Sequence, residues 1–241
     1  MMNSHGTAGK NAREMAQQRY KKVTIYAALL FIIGLLLLSN LNTVVKLGFP
    51  AAIILAVVIK LVADHIEKKG LYIKKRAKDA DRGACAEEVV AERLMNLPEG
   101  YHVFHDIAFD GFNIDHVAVG PGGIFLVETK SHKGKIDAQG DTLLLDGVQP
   151  PKNFLNQTWS QTYQLRDFLK RQTSREWAVK PILCFTRAFV IVRMPVKGIT
   201  VVNIKYLTTY LSKQQESLIS EDIQTITRVL QGWVSKQDKL I

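Results

Sequence analysis

The stretch NIDHVAVGPGGIFLVETK, from Asn113 to Lys130, leaves the backbone few choices. Two β-type runs flank Gly120-Pro121-Gly122-Gly123, and a two-residue loop at Pro121-Gly122 pairs Gly120 with Gly123. Partners in such a hairpin share a constant sum of residue numbers, so Asp115 is expected directly opposite Glu128. Opposed side chains have Cβ atoms roughly 4.5 to 5.5 Å apart, near enough for two carboxylates to grip one hard cation. Lys130 lies two residues past Glu128 and is expected on the same face. Two such carboxylates repel each other unless a cation neutralises them, and the ion then polarises a phosphate oxygen and lowers the pKa of a bound water. A lysine beside them can orient that water or offset charge growing on the phosphorane. Asp115, Glu128 and Lys130 therefore read as one unit suited to phosphodiester hydrolysis.

The surrounding sequence supplies a globular frame. Apolar residues at helical spacing in GACAEEVVAERLMNL predict a helix over Gly83 to Leu97, ended by Pro98-Glu99-Gly100. Strands are predicted at Tyr101 to Phe109, Asn113 to Val119, Ile124 to Thr129 and Thr142 to Leu145. A helix follows over about Asn156 to Lys170, then strands near Pro181 to Phe185, Phe189 to Val192 and Ile199 to Asn203, and a last helix over Ser220 to Ser235. This order indicates an α/β domain with a mixed sheet.

An acid, then an E-x-K, carried across a hairpin resembles the core of the PD-(D/E)xK nucleases, and IDHVAVGPGGIFLVETKSHKGKI is similar to the nuclease-related (NERD) domain in particular. Upstream, Gly83-Ala84-Cys85-Ala86-Glu87 resembles that family's G-x-x-G-E helix start, with Ala86 in place of its second glycine. Downstream, Asn153-Phe154-Leu155-Asn156-Gln157 resembles its N-P-x-x-Q element, with Phe154 in place of proline. The resemblance runs well over roughly 83–167. It implies a restriction-endonuclease-like mixed sheet flanked by helices, with Glu87 completing a metal site alongside Asp115 and Glu128, and Gln157 a polar helper near the phosphate. Magnesium or manganese is the implied ion and DNA the implied substrate. A domain that keeps this fold but only binds nucleic acid, or serves as a membrane scaffold, remains the alternative.

The N-terminal third is of another kind. VTIYAALLFIIGLLLL, Val23 to Leu38, has no charged side chain, and FPAAIILAVVIKLVA runs from Phe49 to Ala63. With flanking residues such as Leu41 and Val44 to Leu47, each approaches the roughly 20 apolar residues that span a bilayer. Two transmembrane helices over 23–63 are therefore expected, Lys60 snorkelling outward. A basic tail over 1–22 should precede them, a basic linker over 64–82 should follow, and the nuclease-like domain should occupy 83–241. Arg13, Arg19, Lys21 and Lys22 before the first span, and the cluster from Lys68 to Arg82 after the second, place both termini on the cytoplasmic side of the inner membrane. The net charge of +10 suits a polyanion, but anionic lipid headgroups account for part of it.

Several other residues read blandly. Cys85 and Cys184 are far apart in sequence and form no C-x-x-C pair, so free thiols are expected. His102 and His105 should lie on opposite strand faces, and His116 should be a satisfied buried histidine. Glu88 cannot face the same way as Glu87. His132, Lys133 and Lys135 read equally as a solvated loop or a phosphate contact, and Trp159, Tyr163 and Phe168 as a helix face that is mostly core.

Overall fold

The computed structural model describes residues 3–40, 46, 49–109 and 111–238. They divide into two compact units, Asn11–Arg82 and a second one made of Met1–Lys10 with Gly83–Ile241. The elements in order are β1 (Asn3–His5), α1 (Lys10–Ser39), α2 (Phe49–Leu94), β2 (His102–Phe109), β3 (Phe112–Gly120), β4 (Gly123–Lys130), β5 (Lys135–Gln139) and β6 (Thr142–Leu145). They continue as α3 (Phe154–Thr173), β7 (Val179–Phe185), β8 (Phe189–Val190), β9 (Thr200–Asn203), α4 (Ile204–Ser212) and α5 (Ser220–Asp238).

The unit Asn11–Arg82 is a helix pair built from most of α1 and the first part of α2. Small residues let the two approach, with Ala16 and Ala77 both buried. Arg19 Nη1 donates to the Arg76 carbonyl at 2.8 Å, and Lys69 Nζ lies 5.5 Å from the centre of the Tyr26 ring. Beyond these contacts large apolar side chains face outward, among them Phe31 (68% exposed), Ile54 (66%) and Leu61 (63%). Among the described residues no helix is long and apolar enough to cross a membrane, so the two expected spans find no support in the fold. Residues 41–45 and 47–48, which were to interrupt or extend those spans, lie outside the described residues. The expected linker is helical throughout, because 64–82 is rich in Lys and Arg, contains no proline, and has Gly70 as its single glycine.

The other unit is a six-stranded mixed sheet in the order β1-β2-β3-β4-β7-β9, beside a three-stranded sheet β6-β5-β8. β2, β3 and β4 form an antiparallel meander, whereas β1 joins β2, β7 joins β4 and β9 joins β7 in parallel. Alternation sorts the core onto two faces. Ile124 and Leu126 pack with Leu165, Leu169, Ile226 and Leu230 under α3 and α5, while Phe125 and Val127 pack with Val90, Leu94, Leu207 and Leu211 under α2 and α4. Each such fully buried side chain contributes about 1.5 to 3 kcal/mol. The sheet is thus mixed and flanked by helices, as the sequence predicts.

β1, β5 and α4 are not among the elements expected from the sequence. Tyr163, expected in the core, is 53% exposed and stacks on the partly buried Trp159 at 5.2 Å between ring centres; Phe168 is buried as expected. Cys85 and Cys184 are free thiols, exposed and buried respectively.

Candidate active site

The hairpin register is the expected one. Gly120 faces Gly123, and pairing continues through Val119–Ile124 and Val117–Leu126 to His116–Val127. One step further, where Asp115 and Glu128 would pair, the ladder stops and side chains take over. The Thr129 N–H donates to Asp115 Oδ2 at 2.7 Å, so the aspartate supplies the acceptor that the neighbouring backbone does not.

The reason lies in a local turnover of two strands. β2 and β3 pair with a constant residue sum from His102–Val119 to Phe109–Phe112, with one gap at Asp106 and Asp115. Phe104 and Ile107, three apart, share one core face, and so do Ile114 and Val117. Strand alternation cannot do this unless both strands twist at the gap. Asp106 there takes φ of 51°, a left-handed conformation that aspartate tolerates better than most residues.

Glu128 sits on the central strand β4, only 2% exposed. Its Oε1 is bonded to the Lys130 ammonium and accepts from Gln157 Nε2 at 2.6 Å. Lys130 Nζ also donates to Gln157 Oε1 at 3.0 Å and rests 5.1 Å from the centre of the Phe154 ring. Gln157 is placed by the start of α3, where the Asn153 side chain accepts from the Asn156 N–H at 3.0 Å and caps the helix. Phe154, which stands where the family pattern has proline, packs its ring against His132 and Phe185. Glu128 Oε2 is buried without a partner. A bare carboxylate oxygen in a protein interior is costly, so this atom is the strongest local sign of a ligand.

Glu87, on α2, belongs to the same cluster. Burial, then the charges of Asp106 and Glu128, raise its pKa to about 8, against a smaller pull from the Gly9 N–H bond and Lys130. Asp115 is raised well above the usual carboxylate range by burial, then by Glu128 and Glu87, and opposed by Lys130 and the Thr129 N–H. Mutual repulsion of this kind is what a divalent cation relieves.

All five residues singled out from the sequence thus meet at one place: Asp115, Glu128, Lys130, Glu87 and Gln157. As the side chains stand, no group of three or more His, Cys, Asp and Glu among the described residues is arranged to hold a metal ion. The donor set nonetheless suits a hard oxygen-seeking ion, and the orphaned Glu128 Oε2 offers it a ligand atom. Asp106 is the member that sequence reasoning missed. The Asp110-Gly111 dipeptide is a two-residue turn signal that would have set Asp106 opposite Asp115.

The other candidates settle into structural roles. His116 is fully buried, with Nδ1 2.8 Å from His105 Nδ1, but its Nε2 has no partner, so it is only half satisfied. Burial, then His105, holds its pKa well below the usual range, and burial with His5 holds His105 at about 4. Both rings are therefore neutral at physiological pH. His132, Lys133 and Lys135 are exposed beside the β4 end.

Comparison with known sequences reaches part of the chain. Residues 82–186 match the family model of the nuclease-related domain, which supports a nuclease-related fold there. An uncharacterized protein of Bacillus anthracis is 34% identical over 61 residues, 23% of this chain and 29% of that protein. The chain therefore matches less than a third of that relative's length. No solved structure matches it.

Proposed function

We propose that this chain is a membrane-tethered, cation-dependent DNA phosphodiesterase on a restriction-endonuclease-like fold of the PD-(D/E)xK class. The observation that carries the reading is Glu128: one oxygen held by Lys130 and Gln157, the other buried and bare, beside two carboxyl groups whose proton affinity is raised by burial and then by neighbouring negative charge. Asp115, Glu128 and Glu87 would hold magnesium or manganese. When bound, such an ion polarises a phosphate oxygen and acidifies an attacking water. Lys130, steadied over the Phe154 ring, offsets charge growing on the phosphate, and Gln157 keeps the lysine and Glu128 in register.

The test is cleavage of DNA by the full chain in detergent with magnesium, set against Asp115→Asn and Glu128→Gln. Each substitution should lower the rate by on the order of 100-fold or more, the scale of losing one electrostatic element of such a site. Equal rates in all three proteins would end the reading. A non-cutting nucleic-acid binder is favoured by one observation, that Lys130 and Gln157 already occupy Glu128 Oε1. It requires DNA affinity that falls steeply with salt and ignores divalent ions.

The tether is part of the same proposal. Exposed apolar side chains on both helices of Asn11–Arg82, such as Phe31 and Ile54, call for a covering that water does not supply, and a bilayer with anionic headgroups fits the flanking basic residues. Both termini would then lie at the inner face of the cytoplasmic membrane.

A further inference from the structure

Residues 3–9 carry neither an apolar stripe nor a motif, yet they belong to the unit that holds the site. β1 lies parallel on the edge of β2, pairing Asn3 with His102 and His5 with Phe104. The His5 ring stacks on Phe104 at 5.0 Å, its Nε2 lies 2.9 Å from Gln231 Nε2, and Ser4 Oγ lies 3.1 Å from His105 Nε2. Ordering each residue costs about 1 to 2 kcal/mol of backbone entropy, so an ordered leader needs contacts of this density.

Two glycines then fix its path. Gly6 has φ of 80°, and a Cβ there would come within 2.4 Å of the His105 carbonyl oxygen. Gly9 has φ of 73°, and a Cβ there would meet the Ala84 carbonyl oxygen at 2.9 Å and Ala84 Cα at 3.0 Å. Ala84 lies three residues before Glu87 on α2. Helical side chains lean toward the preceding turn, so the Glu87 carboxylate is directed back over the turn on which Gly9 sits. The Gly9 N–H bonds to that carboxylate.

We propose that the leader is a working part of the site, with the Gly9 backbone N–H acting as a positioning group that aims the Glu87 carboxylate at the cation. The inference rests on the metal-dependent reading above. Metal-ligating carboxylates are usually held by a further hydrogen bond, and losing that partner typically costs about 10- to 100-fold in metal affinity. Here the partner comes from a segment separated in sequence from the rest of the domain by the whole helix pair.

The experiment is a double-mutant cycle on the full chain in detergent, reading Mn2+ affinity by electron paramagnetic resonance without DNA. Gly9→Ala should weaken Mn2+ binding by about 10-fold or more in the parent, and by nothing further in a Glu87→Ala background. Equal affinity of Gly9→Ala and parent, or an equal loss in both backgrounds, overturns the leader's role and leaves the nuclease reading standing. A parent that binds no Mn2+ overturns the nuclease reading, and the leader's role falls with it. Should Gly9→Ala fail to fold, amide hydrogen exchange decides. Under the proposal, the Gly9 N–H exchanges slowly in the parent and at least about 10-fold faster in Glu87→Ala, while the His5 N–H is unchanged. Equal Gly9 exchange in the two proteins overturns it.

Discussion

Glu87, Asp115 and Glu128 lie around one lysine, with Asp106 acting on Glu87, and their arrangement makes a prediction about protons before any about catalysis. A carboxyl group whose folded pKa lies above its unfolded value binds an extra proton in the native state, so its stabilising contribution is complete below the unfolded pKa and disappears as pH rises through the folded one. For Glu87 that window runs from its ordinary value of 4.5 to about 8. Metal-free protein should therefore lose thermal stability as pH rises across that interval, and Glu87→Gln should flatten the decline in scanning calorimetry with chelator. Asp106→Asn removes the largest charge acting on Glu87, so it should move the decline to lower pH without abolishing it. A parent whose melting temperature holds constant from pH 5 to 8 would show that Glu87 is not pressed in this way. Divalent ions should oppose the decline, since binding them expels the same protons.

At the scale of elements, the β3–β4 hairpin was legible because glycine placement and strand alternation fix its register together, and one slipped residue would exchange the side chains of its two buried faces. The helices around it were legible where an apolar stripe faced the sheet, as in α5 with Ile223, Ile226 and Leu230. β1 was not legible, since its three residues are polar and its partner strand lies about a hundred residues away. α4 was missed because IKYLTTYLS alternates ambiguously, with only Leu207 and Leu211 buried. The strand turnover at Asp115 was missed for a different reason: it depends on the third strand, and the hairpin alone predicts uninterrupted pairing. Gly120 tests how tightly the hairpin is held. A Cβ there would fall 2.4 Å from the Tyr101 ring, which is pinned by its hydroxyl donating to the Leu211 carbonyl at 3.0 Å. Gly120→Ala should cost about 1 to 3 kcal/mol or more in denaturant titration, as overpacking does. Gly111→Ala meets no neighbour and suffers only its φ of 83°, so it should cost about 1 to 2 kcal/mol. A Gly120→Ala loss smaller than that of Gly111→Ala would mean that the ring yields freely.

For the whole molecule, two forces could bring the chain to a membrane, and they respond oppositely to salt. Basic residues near an anionic surface contribute about 1 kcal/mol each within a Debye length, which shrinks to about 3 Å at about 1 M salt. Apolar burial is not weakened by salt in this way. The sequence holds both kinds of group, the basic cluster of 68–82 and the outward-facing Phe31, Ile32, Leu35, Ile54 and Leu61. Anchoring by the apolar faces predicts that the full chain stays in the membrane pellet through about 1 M salt and leaves it with detergent. Replacing Phe31, Ile32 and Leu35 together with serine should move it to the salt-washed supernatant while DNA cleavage in detergent persists, because the site residues belong to the other compact unit. Release of the unaltered chain by salt alone would leave the basic cluster as the whole attachment and remove the apolar faces from the proposed tether.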